Sequence, residues 1–427
     1  MKEDFLHYLW RYGKFSKSNL CTTSGEDVIV YAVGELNQNS GPDFFNSRLL
    51  IGDQLWAGNV EVHLKSSDWY LHNHEKDLRY NNVILHVVWE HDVEVFRSDE
   101  SMIPTLELQY FTDETFFNSY TNFISKRKSF INCENSLDAI DSFMITHWKE
   151  QLFTERLEQK TKVILNELEM VNNDWEAVLF QILLKNFGLK VNGESFQQIA
   201  RFADYQIVKK VRHEPEILEG LFFGCAGLLQ DVECDDHYFE IMRSHFYYLQ
   251  KKYNTLNAIT LKPAFFRLRP ANFPTIRLSQ FAQLYYFNSA LFSRLMEATS
   301  VEEIYGIFDV GVSNYWKTHY TWGKKSANSF KKLTKNFIDL LIINTVIPLK
   351  FCYHNYMGIQ EMSDIINIIS SLSPEKNSIV ERFRKLGVKI NSAMDSQAIL
   401  QLYNYYCQCN KCLDCAIGSR LLIEKTH

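Results

Sequence analysis

Proline is scarce in this chain, 8 of 427 residues, and no low-complexity run interrupts it, which excludes a long disordered tail or a flexible tether as its main content. Absent too is any uninterrupted apolar run of the roughly 18 residues that a membrane-spanning helix needs, so a membrane protein is not expected. The opening MKEDFLHYLW carries acids and no long apolar region, unlike a secretory signal, and a cytoplasmic protein is the expectation. No excess of positive charge exists either. A formal net charge of −6 excludes a surface built throughout to coat nucleic acid and leaves only local basic patches for that purpose. No repeat of fixed period marks a solenoid.

What remains is a folded chain with 46% hydrophobic and 14% aromatic residues, long enough for two or three cores. The pattern changes near residue 130. Up to there short β-patterned runs dominate; the polar, turn-rich NCENSLDAID follows, and apolar positions then recur at helical spacing over 148–169, 175–186, 215–229, 236–252, 278–297, 332–345 and 373–386. The expected architecture is α+β, with an N-terminal α/β domain over 1–130 and a larger all-α region over 131–427.

Residues 39–90 hold the densest chemistry. LWAGNVEVHL, 55–64, alternates as a strand does, setting Glu61, His63 and Lys65 on one face and Val60, Val62 and Leu64 on the other. An upstream run over 44–51 reads as a strand entered through the Gly41-Pro42 turn, with Asp43 at its mouth. A hairpin through Gly52-Asp53 brings Asp43 and Glu61 within reach of one cation. Two carboxylates and the Val62 carbonyl make a hard oxygen site suited to Mg²⁺ or Mn²⁺. Such an ion activates water and steadies the charge of a phosphodiester in transition, and His63 or Lys65 would orient the water or the developing anion.

Around this hairpin the expected order is helix, three strands, a helix over 66–80, and the strand VILHVVWE, followed by a last strand at 106–108. That order, with Pro42-Asp43 opening the second strand and Glu61-x-His63 on the third, resembles the PD-(D/E)xK, or restriction-endonuclease-like, nuclease superfamily. The resemblance covers about the first quarter of the chain and implies a metal-dependent nuclease or phosphodiesterase acting on DNA or RNA. His63 stands where that pattern has Lys, with Lys65 at the next same-face position. More closely, the wording GPDF, GNVEVH, SSDW, LHVVWE, RPANFPTIRL and CLDCAIG resembles an uncharacterised bacterial family of full-length proteins, which implies no activity.

A rival reading uses the same stretch. His63, His72, His74, Asp77, His86 and His91 crowd together, and imidazole suits Zn²⁺, so a zinc-type hydrolase built on His63, His72, His74 and Asp77 is the alternative. On a regular helix His72 and His74 face different ways, which puts one of them in a loop or outside the ligand shell. His86, between Leu85 and Val87, reads as a hydrogen-bonded core histidine. A third alternative is a nuclease-like fold that binds nucleic acid or protein without chemistry.

Two further groups stand in the helical part. Arg267, Arg269 and Arg277 bracket RPANFP, and Lys324 and Lys325 sit among Lys317, Lys331, Lys332 and Lys335 with Trp316, Tyr320 and Trp322, a mixture that grips phosphates and stacks bases. In CQCNKCLDC, Cys407, Cys412 and Cys415 are candidate ligands of Zn²⁺ or an iron–sulfur cluster, Cys409 is a bystander, and Cys352 or His354 would be a distant fourth ligand. Nothing in the sequence marks an oligomer interface.

Overall fold

The computed structural model describes residues 3–37, 40–124, 129–230, 234–254 and 262–424; Asn39, the first residue of the chemistry-rich stretch, lies outside the described residues. Glu3–Tyr12 is a helix (α1) that buries Phe5, Leu6, Leu9 and Trp10 on one stripe. The first of the three expected strands, the β-branched run behind it, divides into β1 (Val28–Ala32) and β2 (Glu35–Leu36). Gly34 lies between them at φ +91°, where a Cβ would meet Ser47 Oγ at 2.4 Å and the Phe45 carbonyl oxygen at 2.5 Å, so only glycine lets the two backbones approach.

β3 (Phe44–Ile51) and β4 (Gln54–Lys65) form the expected hairpin, turned at Gly52 with φ +57° and Ile51 opposite Gln54. With β5 (Val83–Glu90) and β6 (Thr105–Glu107) the sheet runs β1-β3-β4-β5-β6, and β2 pairs with β3. β3 is antiparallel to both its neighbours, β1 and β4, whereas β4–β5 and β5–β6 are parallel. A parallel pair needs a crossover segment, and the one between β4 and β5 carries the site. The helix expected over 66–80 is broken there into a short helix α2 (Asp68–Leu71) and two 3₁₀ turns, His74–Lys76 and Leu78–Tyr80. Asn73 makes the break by adopting the left-handed conformation at φ +58°, which asparagine tolerates better than most residues. Trp69 and Tyr80 from this crossover pack with Val83, Val95 and Ile103 into a small core.

The fold is thus α+β, a mixed N-terminal sheet followed by a helical region. It divides into two compact units, one of residues 1–146 with 402–427, the other of 147–401. The expected boundary at 130/131 gives way to one inside a long helix, because after α3 (Glu114–Ile124) the helix α4 (Ser142–Met170) begins in the first unit and continues into the second. The C-terminal segment also belongs to the first unit. Its helix Ala416–Glu424 contacts α3, Ser419 Oγ lies 3.2 Å from Tyr8 Oη, and Tyr403 stacks on Phe130 with centroids 4.9 Å apart.

In the second unit, which is mainly helical, the rest of α4 is followed by α5 (Trp175–Phe187) and α6 (Leu189–Ala203), whose buried faces pack on each other. The helix expected over 278–297 ends at Phe287 and restarts at Leu291, and Asn288 between them turns its side-chain amide back to the Leu284 carbonyl at 2.9 Å. Beyond the expected end at 345, helical structure continues over Lys335–Met357, long and apolar enough to cross a membrane by length and composition, with a mean hydropathy of 1.3 over an 18-residue window, although Asp339, Asn344 and Lys350 interrupt its apolar run. Its apolar window is 72% buried within the fold, as in the core helix of a globular unit. A π-turn, Ile342–Val346, interrupts its α geometry ahead of Pro348, which has no N–H for the Asn344 carbonyl; Asn186 Nδ2 donates to that carbonyl at 3.4 Å.

Candidate metal centre

Asp43 and Glu61 meet as the hairpin predicts. Asp43 directly precedes β3; its N–H donates to Glu61 Oε2 at 3.0 Å, and its Oδ2 accepts the N–H of Val62 at 3.0 Å. Each residue therefore fixes the other, and the contribution of Val62 seen here is its amide. The polar face of β4 is not solvated: Glu61 and His63 are as buried as Val60 and Val62 on the opposite face, because the crossover covers them.

The histidines converge on the same carboxylate. His63 Nε2 lies 3.5 Å and His74 Nε2 3.3 Å from Glu61 Oε1, and His72 Nδ1 is 3.1 Å from His63 Nε2. One ring nitrogen from each of His63, His72 and His74 lies within 4.8 Å of the other two. The sequence expectation that His72 and His74 point apart assumed a regular helix; the left-handed Asn73 between them reverses the chain and turns both toward β4. Behind this layer, His63 Nδ1 is 2.9 Å from Nε2 of the fully buried His86, and His74 stacks on Tyr80 with centroids 3.8 Å apart. Trp69 closes the floor against His74 and His86.

The two constellations read from the sequence are one cluster, and Glu61 joins them. Asp77, the carboxylate of the zinc alternative, turns instead to Arg79, Oδ2 to Nη2 at 2.5 Å. Lys65 is half exposed and pairs with Glu90 at 3.2 Å, and His91 pairs with Glu94 at 3.4 Å. Sequence reasoning missed His7 and Glu3. His7 Nε2 is 3.1 Å from Asp43 Oδ2, and the signal for the pair was their one-turn spacing on a helix that otherwise buries aromatic residues.

Burial governs the charges. It holds His63 far below the ordinary imidazole range, brings His86 down to about 3 and lowers His74, leaving neutral rings with lone pairs for a metal. Burial, and then the charge of Asp43, pushes Glu61 up to about 9. For His7 burial works the other way, yet the hydrogen bond and charge of Asp43 outweigh it and raise its pKa. A carboxyl raised from 4.5 in the unfolded chain takes up a proton on folding between those values, so stability without a cation falls as pH rises through that window. Glu61→Gln cannot ionise and should flatten this fall, which denaturant unfolding of the metal-free chain at pH 5, 7 and 9 would reveal; an unchanged slope would mean Glu61 is already ionised.

A cleft of about 920 Å³ is lined by Asn46, Arg48, Trp56, Asn59, Asn82 and Ser101 among others, and none of the clustered histidines or carboxylates lines it. Asn59 precedes Glu61 by two positions on β4 and so shares its face, and Arg48 lies opposite Ala57 on that face. In the second unit Arg267, Arg269, Lys324 and Lys325 are exposed. Arg277 is buried: its guanidinium donates to Asn272 at 2.6 Å and Gln280 at 2.9 Å and covers the Phe337 ring, so it is committed to the core and out of reach of a phosphate. Lys331 is likewise bound to the carbonyls of Trp316, Lys317 and His319, and Lys332 to Asp309. Cys407, Cys412 and Cys415 lie in the first unit, Cys415 buried and the others half-buried.

Residues 3–378 match the family model described as Protein of unknown function (DUF2851), and the chain belongs to that family. No curated protein and no solved structure matches it.

Proposed function

Starting from a family membership that carries no activity, we propose that this chain is a metal-dependent hydrolase of phosphodiester bonds in nucleic acid, with a borderline divalent ion of the Zn²⁺ kind held by His63, His72, His74 and Glu61. The observation that carries the reading is the separation of the donor atoms. Around an ion with ligands at 2.0–2.1 Å, tetrahedral donors stand roughly 3.3 Å apart; three contacts among these side chains are 3.1, 3.3 and 3.5 Å, and the three ring nitrogens lie within 4.8 Å of one another. Three imidazoles and one carboxylate favour Zn²⁺ over the Mg²⁺ or Mn²⁺ that the two carboxylates alone suggest. His86 behind His63 supplies the outer hydrogen bond that fixes the orientation of a ligating ring.

When bound, such an ion lowers the pKa of its water and steadies charge on a phosphoryl oxygen. Asp43 raises the pKa of His7 against the opposing effect of burial and so favours a proton donor beside the carboxylates. The amides, Arg48 and Trp56 of the cleft that Asn59 of β4 also lines suit a phosphate backbone and its bases. The substrate class rests on the resemblance of the element order and of Pro42-Asp43 and Glu61-x-His63 to the PD-(D/E)xK nucleases, with His63 in the Lys position serving as a ligand. A cytoplasmic location fits such a substrate.

The test is cleavage of single- and double-stranded DNA and RNA by purified chain supplied separately with Zn²⁺, Mn²⁺ and Mg²⁺. Turnover with Zn²⁺ that a chelator abolishes and His72→Ala lacks is the expected result. Binding without turnover under every ion would make the chain a non-catalytic module, and turnover with Mg²⁺ indifferent to His72 would return the chemistry to Asp43 and Glu61 alone.

A further inference from the structure

We propose that Cys133, Cys407, Cys412 and Cys415 form a second, four-thiolate metal centre, for an iron–sulfur cluster or a single Zn²⁺, that ties the C-terminal segment to the N-terminal unit. Cys133 lies far from the other three in sequence, yet all four belong to the same compact unit. Contact between the two segments is direct. Asn132, the neighbour of Cys133, donates through Nδ2 to Cys412 Sγ at 3.4 Å and to Asn410 Oδ1 at 3.1 Å, and Phe130 stacks on Tyr403. The thiols lie within electrostatic range of one another: Cys133 feels Cys415 and Cys412, and Cys407 feels Cys415, Cys133 and Cys412.

The backbone around them is shaped for this gathering. A helix that ends in a π-turn, Leu402–Cys407, delivers Cys407, and the chain then reverses at Asn410 with φ +54°. The loop is pressed so closely onto Gly418 that a Cβ there would meet the Cys412 carbonyl oxygen at 2.2 Å. Cys415 directly precedes the helix Ala416–Glu424 and its carbonyl accepts the Ser419 N–H at 2.8 Å. Cys409, between the ligands in sequence, is exposed and directs its Sγ to the Asn404 carbonyl, outside the group. None of the four is joined in a disulfide. Sulfur is a poor hydrogen-bond partner, so neighbouring thiols, Cys415 buried and the other three half-buried, gain little from each other as neutral groups and much from a soft metal centre that takes them as thiolates and releases their protons. Cys352 and His354, the distant ligands considered from sequence, are not needed: Cys133 completes the set.

The measurement is metal and sulfide content with the absorption spectrum of full-length chain purified without oxygen, alongside Cys133→Ser and Cys409→Ser. Iron with equimolar sulfide and broad visible absorption would assign a cluster; colourless protein whose zinc absorption edge shows sulfur neighbours would assign Zn²⁺; both support the centre. Cys133→Ser should lose that metal and Cys409→Ser keep it, while His72→Ala leaves the sulfur-bound metal in place. Should Cys133→Ser not fold, alkylation of the native chain decides: Cys409 reacts first, and the other four become reactive only after chelation. Wild-type chain without sulfur-bound metal, a Cys133→Ser chain that retains it, or immediate alkylation of all five cysteines would overturn the proposal.

Discussion

Replacing Glu61 by Gln should weaken Zn²⁺ binding at the histidine centre by at least about 10²-fold and reduce metal-dependent hydrolysis by on the order of 10³ or more. The side chain is nearly isosteric, and its Oε2 partner, the Asp43 N–H, can still be satisfied by an amide oxygen, so the hairpin is retained. What is lost is the charge at the Oε1 position, the one that touches both His63 and His74. Three neutral imidazoles alone leave the full charge of a divalent ion in a buried setting, and the carboxylate offsets it. Calorimetric titration of Zn²⁺ into wild-type and Glu61→Gln chains isolates this site, because a thiolate centre contributes equally to both. Equal affinities would show that Glu61 is not a ligand, and the cluster would reduce to buried histidines bonded to one another.

The second large effect is on stability and lies in the helical unit. Glu219 on the helix Pro215–Cys225 is fully buried, and its carboxyl accepts hydroxyl hydrogen bonds from Ser279, Tyr238 and Ser313, the last at 3.1 Å. Burial raises its pKa while the hydroxyls oppose that rise. Glu219→Ala removes the shared acceptor, leaves three hydroxyls to find new partners and opens a cavity, at a cost of about 3 kcal/mol to unfolding of this unit. Glu219→Gln keeps an acceptor and should cost about 1 kcal/mol. Denaturant unfolding of the two variants against wild type measures the difference. If the two substitutions cost the same, the effect is cavity and not hydrogen bonding. Zn²⁺ binding by the histidine centre should be untouched in both.

How far the sequence reached follows from which interactions are local. The hairpin, and with it the meeting of Asp43 and Glu61, was legible because strand side chains alternate and Gly52 marks the turn. The same alternation placed Glu61 and His63 on one face but called that face polar; its burial depends on what the crossover lays over it, which periodicity along β4 does not contain. His72 and His74 turn on one dihedral, the positive φ of Asn73. A helical reading of 66–80 separates them, and the broken crossover brings them together. His7 and Cys133 were missed for a common reason, since each reaches its partners through tertiary contact between segments distant in sequence. Arg277 illustrates the opposite error: a basic residue beside RPANFP looked surface-bound, yet Asn272, Gln280 and the Phe337 ring satisfy it inside. The return of the C-terminal segment to the first unit left no trace in composition, so the boundary drawn at 130/131 could not include it.

The most direct test of the metal centre is a crystal structure of the chain grown with Zn²⁺, with anomalous differences collected at the zinc edge. The account predicts a peak at about 2.0–2.1 Å from one ring nitrogen of each of His63, His72 and His74, with Glu61 as the fourth neighbour. Density confined to the cysteines, or an ion seated on Asp43 and away from all three rings, would contradict it.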